Sequence, residues 1–307
     1  GWAHHAFSVT DSGYIVGAHP GKPRVLFLDS NGTLKRSWDI DLLEIHGITT
    51  VQENGKEFLW LVDSGSKPYK RDGYGPNPGL EQTGQVIKTT LDGKVVQRLE
   101  TPPDNIYESL RYSPTGMAVF EERFGGNGDL WVTDGYGASW IHRYEKNGTY
   151  LGKITGEEGP ISHFHCPHSV YLDTRRDPRL YIADRGNGFF QVYDLEGHFE
   201  RSFGSEFLTT PSAMASYEGF LITAELRARI TLLDENDKLI GYLGENESVC
   251  DVLGWPNQIK DEGKIVPTKQ LFPGKFNSPH GMTVDQKGSI YISEWLIGGR
   301  YIKLVKC

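Results

Sequence analysis

Ten histidines are spread through this 307-residue sequence, and three of them stand in the same local phrase: "IHG" at His46, "CPHS" at His168 and "SPHG" at His280. A neutral imidazole ligates divalent transition metals. Three imidazoles around one point, with a position left open, are the ligand set of a catalytic zinc site. Residues this far apart along a chain converge only if the fold repeats, so the chemistry depends on finding a repeat. His163 and His165, which crowd the stretch "FHCPHSVYLD", read as the loop approach to His168.

The repeat is present. Phrases beginning at residues 5, 45, 114, 167, 211 and 279 share one order: a small or polar entry, a short apolar run, an Asp/Gly turn, a β-rich run ending in an acid, another β run, and a hairpin marked "NG", "DG" or "EG". Each copy offers up to four short alternating strands, the content of a propeller blade, and six copies at about 51 residues each are a usual blade length. The last copy stops after three strands, so the N-terminal segment is expected to close the ring. The expectation is an all-β six-bladed β-propeller forming a single domain over residues 1–307.

Aligned across the copies, the residue after the entry Pro or Ile reads His5, His46, Thr115, His168, Ser212, His280. First strands line the axis and alternate blades stand about 120° apart, so His46, His168 and His280 would form a triangle around one metal ion. His5 is in register as a further ligand or substrate contact. The acids ending the second strands, Asp63, Asp134, Asp184, Glu225 and Glu294, would accept backbone N–H groups at the blade turns. Beside two of them stand Tyr136 and Arg185. An arginine fork fits a substrate carboxylate. A tyrosine near zinc and a cation would have a lowered pKa and serve as general base.

Composition narrows the alternatives. A net charge of −8 without a dense Lys/Arg run speaks against nucleic acid. No apolar stretch approaches the roughly 20 residues of a bilayer span, which speaks against a membrane partner. The opening "GWAHHAFSV" lacks the basic start and apolar middle of a signal peptide; a secreted or periplasmic setting is expected only if a leader has been removed. Three cysteines without a CxxC pair exclude a cysteine-only zinc site and allow at most one internal disulfide. The expected partner of the monomer is a small-molecule or peptide-derived substrate, anionic in character. Two insertions, residues 65–85 and 244–278, fall on connections that reach the metal face; long ordered loops in a compact domain are commonly functional. Lys70, Arg71, Tyr74, Tyr107 and Trp255 would recognise such a substrate or an aromatic one.

The phrases "IHG", "SPTGMAV" with "LWVTDGYGASWIHRY", "CPHSVYL" with "LYIADRGNGFFQVYD", and "SPHGMTVDQKGSIYISE" resemble the catalytic core of the peptidyl-α-hydroxyglycine α-amidating lyase family, six-bladed propellers of NHL-type repeats. The resemblance covers most of the chain and is strongest over residues 114–194 and 279–294. It implies a zinc held by His46, His168 and His280, with Tyr136 and Arg185 in an active site that splits N–CH(OH)–COO⁻ into an amide and glyoxylate. Tyr136 would act as base or polarising group, and Arg185 would hold the carboxylate or the developing aldehyde oxygen. The chain departs from the family at four points. His19, with Arg24 five residues beyond it, stands in the neighbourhood where the family has an arginine after the second strand of its first blade. Gly281 replaces an aspartate that binds a structural calcium, Ser278 replaces a methionine, and Gly137 replaces a disulfide cysteine. Zinc therefore carries over better than calcium, and iron or another divalent transition metal suits the same ligands. Two rival readings are a metal-dependent hydrolase or lactonase on the same propeller and a non-catalytic NHL interaction module.

Overall fold

The computed structural model describes residues 1–67, 81–260 and 263–306. Among the described residues, six antiparallel sheets of three or four strands follow one another along the chain, with a two-stranded ribbon, Gln258–Ile259 and Ile265–Val266, between the last two. The first holds Ser8–Val9, Ile15–Ala18, Arg24–Leu28 and Leu34–Asp39; the second holds Gly47–Glu53, Lys56–Asp63, Gln85–Thr90 and Val95–Leu99. The third is Gly116–Val119, Leu130–Thr133, Ile141–Tyr144 and Tyr150–Ile154, and the fourth is Pro167–Asp173, Arg179–Asp184, Phe189–Tyr193 and Phe199–Phe203. Pro211–Tyr217, Phe220–Glu225, Arg229–Leu233 and Leu239–Leu243 make the fifth; Pro279–Val284, Ile290–Glu294 and Arg300–Leu304 make the sixth. Neighbours in each sheet are neighbours in sequence, so every sheet is an up-and-down meander and the fold is a six-bladed β-propeller.

The sequence sets each meander locally. Second strands such as Lys56–Asp63 are buried through their second half, and fourth strands such as Phe199–Phe203 alternate half-buried with exposed, which places the inner strands in the core and the outer ones against water. One turn recurs at the hairpins, before the fourth strand in the first, fourth and fifth sheets and before the second strand in the sixth. Asp29, Asp194, Asp234 and Asp285 each accept two backbone N–H groups through Oδ1, while Gly32, Gly197 and Gly288 take the positive φ that the turn requires. Register shifts recur in the third strands, at Phe27/Leu28, Lys88/Thr89, Arg143/Tyr144, Val192/Tyr193 and Leu232/Leu233, so one bulge is part of the repeat.

The chain forms two compact units: one of Gly1–Asp41, Ser66–Glu81 and Ser212–Cys307, the other of Leu42–Gly65 and Gln82–Pro211. In the second unit, Trp60, Val62, Met117 and Val132 pack the second sheet on the third, and Trp131, Ile141, Val170 and Ile182 pack the third on the fourth. Each such fully buried side chain contributes about 1.5–3 kcal/mol relative to exposure. In the first unit, Ile222, Ala224 and Ile230 pack on Met282, Ile290 and Ile292. There the N-terminal segment lies on the sixth sheet: Trp2 bridges Ile297, Ala3 N–H donates to the Leu296 carbonyl (3.0 Å), and the Ser293 hydroxyl donates to the His5 carbonyl (2.5 Å). These contacts are the expected closure by the N-terminus.

Candidate metal and catalytic site

Bulges aim two of the three histidines. In the fourth sheet the pairing passes from Pro167↔Asp184 to Ser169↔Ala183, and in the sixth from Pro279↔Glu294 to Gly281↔Ser293, so His168 and His280 each sit at the extra residue of a bulge. A bulged residue leaves the strict alternation and turns its side chain, which is how a strand end presents a ligand. His46 lies one residue before its strand, with its N–H on the Val62 carbonyl (2.8 Å).

The acids that end the second strands hold these entries in place. Asp63 accepts the N–H groups of Leu43 (2.8 Å), Glu44 (3.0 Å) and Gly65 (2.8 Å), which fixes the approach to His46. Asp134 accepts Ser113 N–H and Ala138 N–H, Asp184 accepts His165 N–H, and Glu294 accepts Asn277 N–H and Ser278 N–H. Glu225 serves side chains instead, those of Arg229 and Thr231. Burial pushes the carboxyls of Asp63, Asp184 and Glu294 upward, against the backbone and side-chain donors that oppose it. Asp134 is raised to about 6, again by burial.

In the second unit, His46, His168, Tyr136, Arg185 and Cys166 form one cluster. His46 Nδ1 lies 2.6 Å from the Thr115 carbonyl, which assigns the proton to Nδ1 and leaves Nε2 as the lone-pair nitrogen. This is the usual support of a metal-binding imidazole. The His46 and His168 rings are 5.1 Å apart. His168 Nε2 is 3.1 Å from the Tyr136 hydroxyl, toward which the Arg185 fork reaches at 3.4 and 3.5 Å. Arg185 Nη2 also donates to Cys166 Sγ (3.1 Å), and Arg185 N–H to the Cys166 carbonyl (3.2 Å). Burial raises the Tyr136 phenol and the Cys166 thiol, with the Arg185 charge opposing both. The lowered phenol expected from sequence is therefore not found: Tyr136 stands protonated at neutral pH, because desolvation outweighs the cation beside it.

In the first unit the His280 ring lies 4.6 Å from that of His4, a residue the sequence reading passed over. His5, the residue in register with the other entries, is buried edge-on against Phe7 and Tyr301 at 5.6 and 5.3 Å. His4 and His280 thus pair in the first unit as His46 and His168 pair in the second. Three imidazoles are a fitting donor set for zinc and for the neighbouring divalent transition metals. A structural calcium has no such support at Gly281. A Cβ there would stand 2.2 Å from the His5 carbonyl oxygen and 2.5 Å from Ala6 Cα, leaving no room for a carboxylate side chain.

The remaining candidates fall elsewhere. His19 is an exposed turn residue whose Nδ1 accepts Gly21 N–H (3.0 Å), and burial and the charge of Arg24 lower its pKa. Tyr107, expected to meet substrate, is turned inward: its hydroxyl donates to Asp134 (2.8 Å) and meets His142 Nε2 at 2.6 Å. Trp255 is half-buried beside Trp295. Lys70, Arg71 and Tyr74 lie outside the described residues. His165 sits in the loop before His168, with its carbonyl accepting Gly186 N–H (2.7 Å). Cys166 and Cys250 are free thiols.

No family model matches the chain. Over 305 residues, 94% of this chain and 74% of the relative, it is 26% identical to NHL repeat-containing protein 3 of Mus musculus. Identity to NHL repeat-containing protein 3 of Homo sapiens is also 26%, over 92% of this chain and 72% of the relative. Among solved structures it resembles streptogramin B lyase at TM-score 0.59 and 14% identity, covering 98% of this chain and 94% of that one. A catalytically inactive variant of virginiamycin B lyase from Staphylococcus aureus with quinupristin gives 0.59 at 13%, over 100% and 96% of the two chains. A chain of the nidogen/laminin complex gives 0.57 at 15%, over 92% and 85%. These likenesses agree on an NHL-type β-propeller.

Proposed function

We propose that the protein is a metal-dependent lyase, with zinc as the preferred ion, that cleaves a small α-hydroxylated amide carrying a carboxylate. The observation that carries this reading is the pair of His46 and His168 imidazoles beside the His168–Tyr136–Arg185 chain of hydrogen bonds. His46, its Nδ1 proton held on the Thr115 carbonyl, would ligate the ion together with further histidines of the sequence repeat, and the ion when bound supplies Lewis-acid polarisation of the substrate hydroxyl. Arg185 offers its fork to the carboxylate. His168 Nε2 takes the hydroxyl proton as the carbonyl forms and the C–N bond breaks. Tyr136, held protonated by burial, gives its proton to the departing nitrogen and regains one from His168 across their 3.1 Å contact. The proton balance closes within the pair. The products are an amide and an α-oxo acid, as the resemblance to the amidating lyases implies.

The metal is tested by elemental analysis of the purified protein, with about one transition-metal ion per chain expected. Its loss in His46→Ala but retention in His168→Ala would assign His168 to proton transfer; loss in both would make His168 a ligand, as the sequence repeat suggests. Activity is tested by incubating the metal-replete protein with a peptidyl-α-hydroxyglycine and assaying glyoxylate. Full metal occupancy without glyoxylate would sink the lyase reading and leave the metal site. A metal-free protein whose properties His46→Ala leaves unchanged would favour the interaction-module reading.

A further inference from the structure

The turn that follows the last acid, residues 294–297, gathers an unusual set of side chains, all within the first unit. Trp295 packs on Trp2 (ring centroids 5.3 Å), on Trp255 (6.3 Å) and on His4 (6.0 Å), the imidazole beside His280. Trp255 comes from the 244–278 insertion and is tied down by its Nε1, which donates to the Asn277 carbonyl (3.0 Å). The main chain of the turn is held by neighbours of the same set. Trp295 N–H donates to the Ser278 carbonyl (2.8 Å), and Ile297 N–H donates to Asn257 Oδ1 (3.0 Å).

Against this turn lie buried polar atoms that have no hydrogen-bond partner among the described residues. Asn277 is 1% exposed, and neither its Nδ2 nor its Oδ1 has a hydrogen-bond partner. Asn257, also 1% exposed, leaves Nδ2 unmatched, and Trp2, 8% exposed, leaves Nε1 unmatched. Each unsatisfied buried donor or acceptor costs free energy, and native folds carry few of them without a purpose. Here several flank one short turn, next to three indoles of which Trp255 and Trp295 are half-exposed.

We propose that this cluster is a binding subsite for an amide group bearing an aromatic side chain. The ring would stack on Trp255 and Trp295, and the amide C=O and N–H would pair with Nδ2 and Oδ1 of Asn277. Both halves of the assignment follow from chemistry. An amide offers the one donor and one acceptor that the Asn277 side chain needs. Indole rings pair with an aromatic partner in offset or edge contact, gaining about 0.5–1.5 kcal/mol beyond area burial. The inference deepens the lyase reading, since His4 and His280 adjoin the subsite and the amide is the part of the substrate that the reaction releases. The binding event itself does not depend on turnover.

The test is calorimetric titration of the full chain with N-acetyl-phenylalaninamide, with N-acetyl-alaninamide as the probe lacking a ring. Saturable binding of the first, roughly tenfold weaker binding of the second, and a similar loss in Trp255→Ala support the subsite. Asn277→Leu, of like shape, should weaken both probes; Trp255→Ala alters a half-exposed residue and keeps the test valid if Asn277→Leu does not fold. Equal affinity for the two probes, unchanged affinity in Trp255→Ala, or no saturable heat with the wild type would overturn it. The last result would mark the amides as interior hydration positions only. Because no product is measured, a protein that binds the probe yet makes no glyoxylate refutes the lyase and keeps the subsite. One that makes glyoxylate yet ignores the probe does the opposite.

Discussion

Replacing Asp63 by alanine removes the acceptor of three backbone N–H groups at once, at 2.8, 3.0 and 2.8 Å. Two of the donors, on Glu44 and Gly65, are buried, whereas Leu43 is half-buried and can be rehydrated. Each stranded buried donor costs about 1–3 kcal/mol, giving about 2–6 for the two. Part of this is recovered because the buried carboxyl, whose pKa is raised by desolvation, no longer has to be sheltered. A net loss of about 2–4 kcal/mol follows, or about 3–6 °C in Tm for a chain of 307 residues. Asp184→Ala is the internal comparison. It strands one backbone N–H, that of the exposed His165, and two side-chain amides, Asn187 and Gln191, so it should cost about 1–2 kcal/mol. Urea unfolding of both variants, with matched m-values, measures the difference. Because Asp63 also orders the residues leading to His46, its variant should bind metal more weakly even when folded. If Asp184→Ala proves as costly as Asp63→Ala, the assignment of these acids as backbone anchors, graded by the donors they hold, is wrong.

Asp134, raised to about 6 by burial, gives a pH dependence of definite sign. The folded state holds this proton more tightly than the unfolded state, so the contribution is fully present below about pH 4 and is lost as pH rises through 6, by at most about 3 kcal/mol. Urea midpoints measured between pH 4.5 and 7.5 should show the slope, and Asp134→Asn should flatten it. Gly281→Ala would drive a methyl group into the His5 carbonyl and Ala6, costing about 1–3 kcal/mol, and should expose the N-terminal segment to limited proteolysis. Tyr136→Phe should keep fold and metal while reducing glyoxylate formation by about 10²–10⁴, with the loss in kcat. Arg185→Lys, which sacrifices the planar fork but keeps the charge, should act chiefly on KM.

The fold was legible because hairpin chemistry and strand alternation recur six times, and a repeat averages out local ambiguity. The acids after the second strands were legible for the same reason: one position, one job, and four of the five hold backbone N–H groups. What escaped was whatever breaks the period. His4 lies one residue before the register position, and periodicity pointed to His5, whose ring turns instead toward Phe7 and Tyr301. The adjacent pair "HH" was the only signal available. Tyr107 read as a loop residue free to meet substrate. It is recruited instead into a buried chain with Asp134 and His142, where burial brings the imidazole down to about 3. The phenol of Tyr136 was judged from its neighbours alone; desolvation, which no spacing reveals, decides its direction.

The contact between Ser293 and His5 spans 288 residues of sequence. A nascent chain therefore carries the segment around His4 and His5 without these contacts until the sixth sheet has been made. Closing so long a loop comes late, since its entropy is lost before any contact rewards it. His4 and His280 meet only on that closure. Metal uptake through this pair would then act as a completeness check: a chain stalled or clipped before residue 279 could assemble most of its sheets and still fail to load the ion.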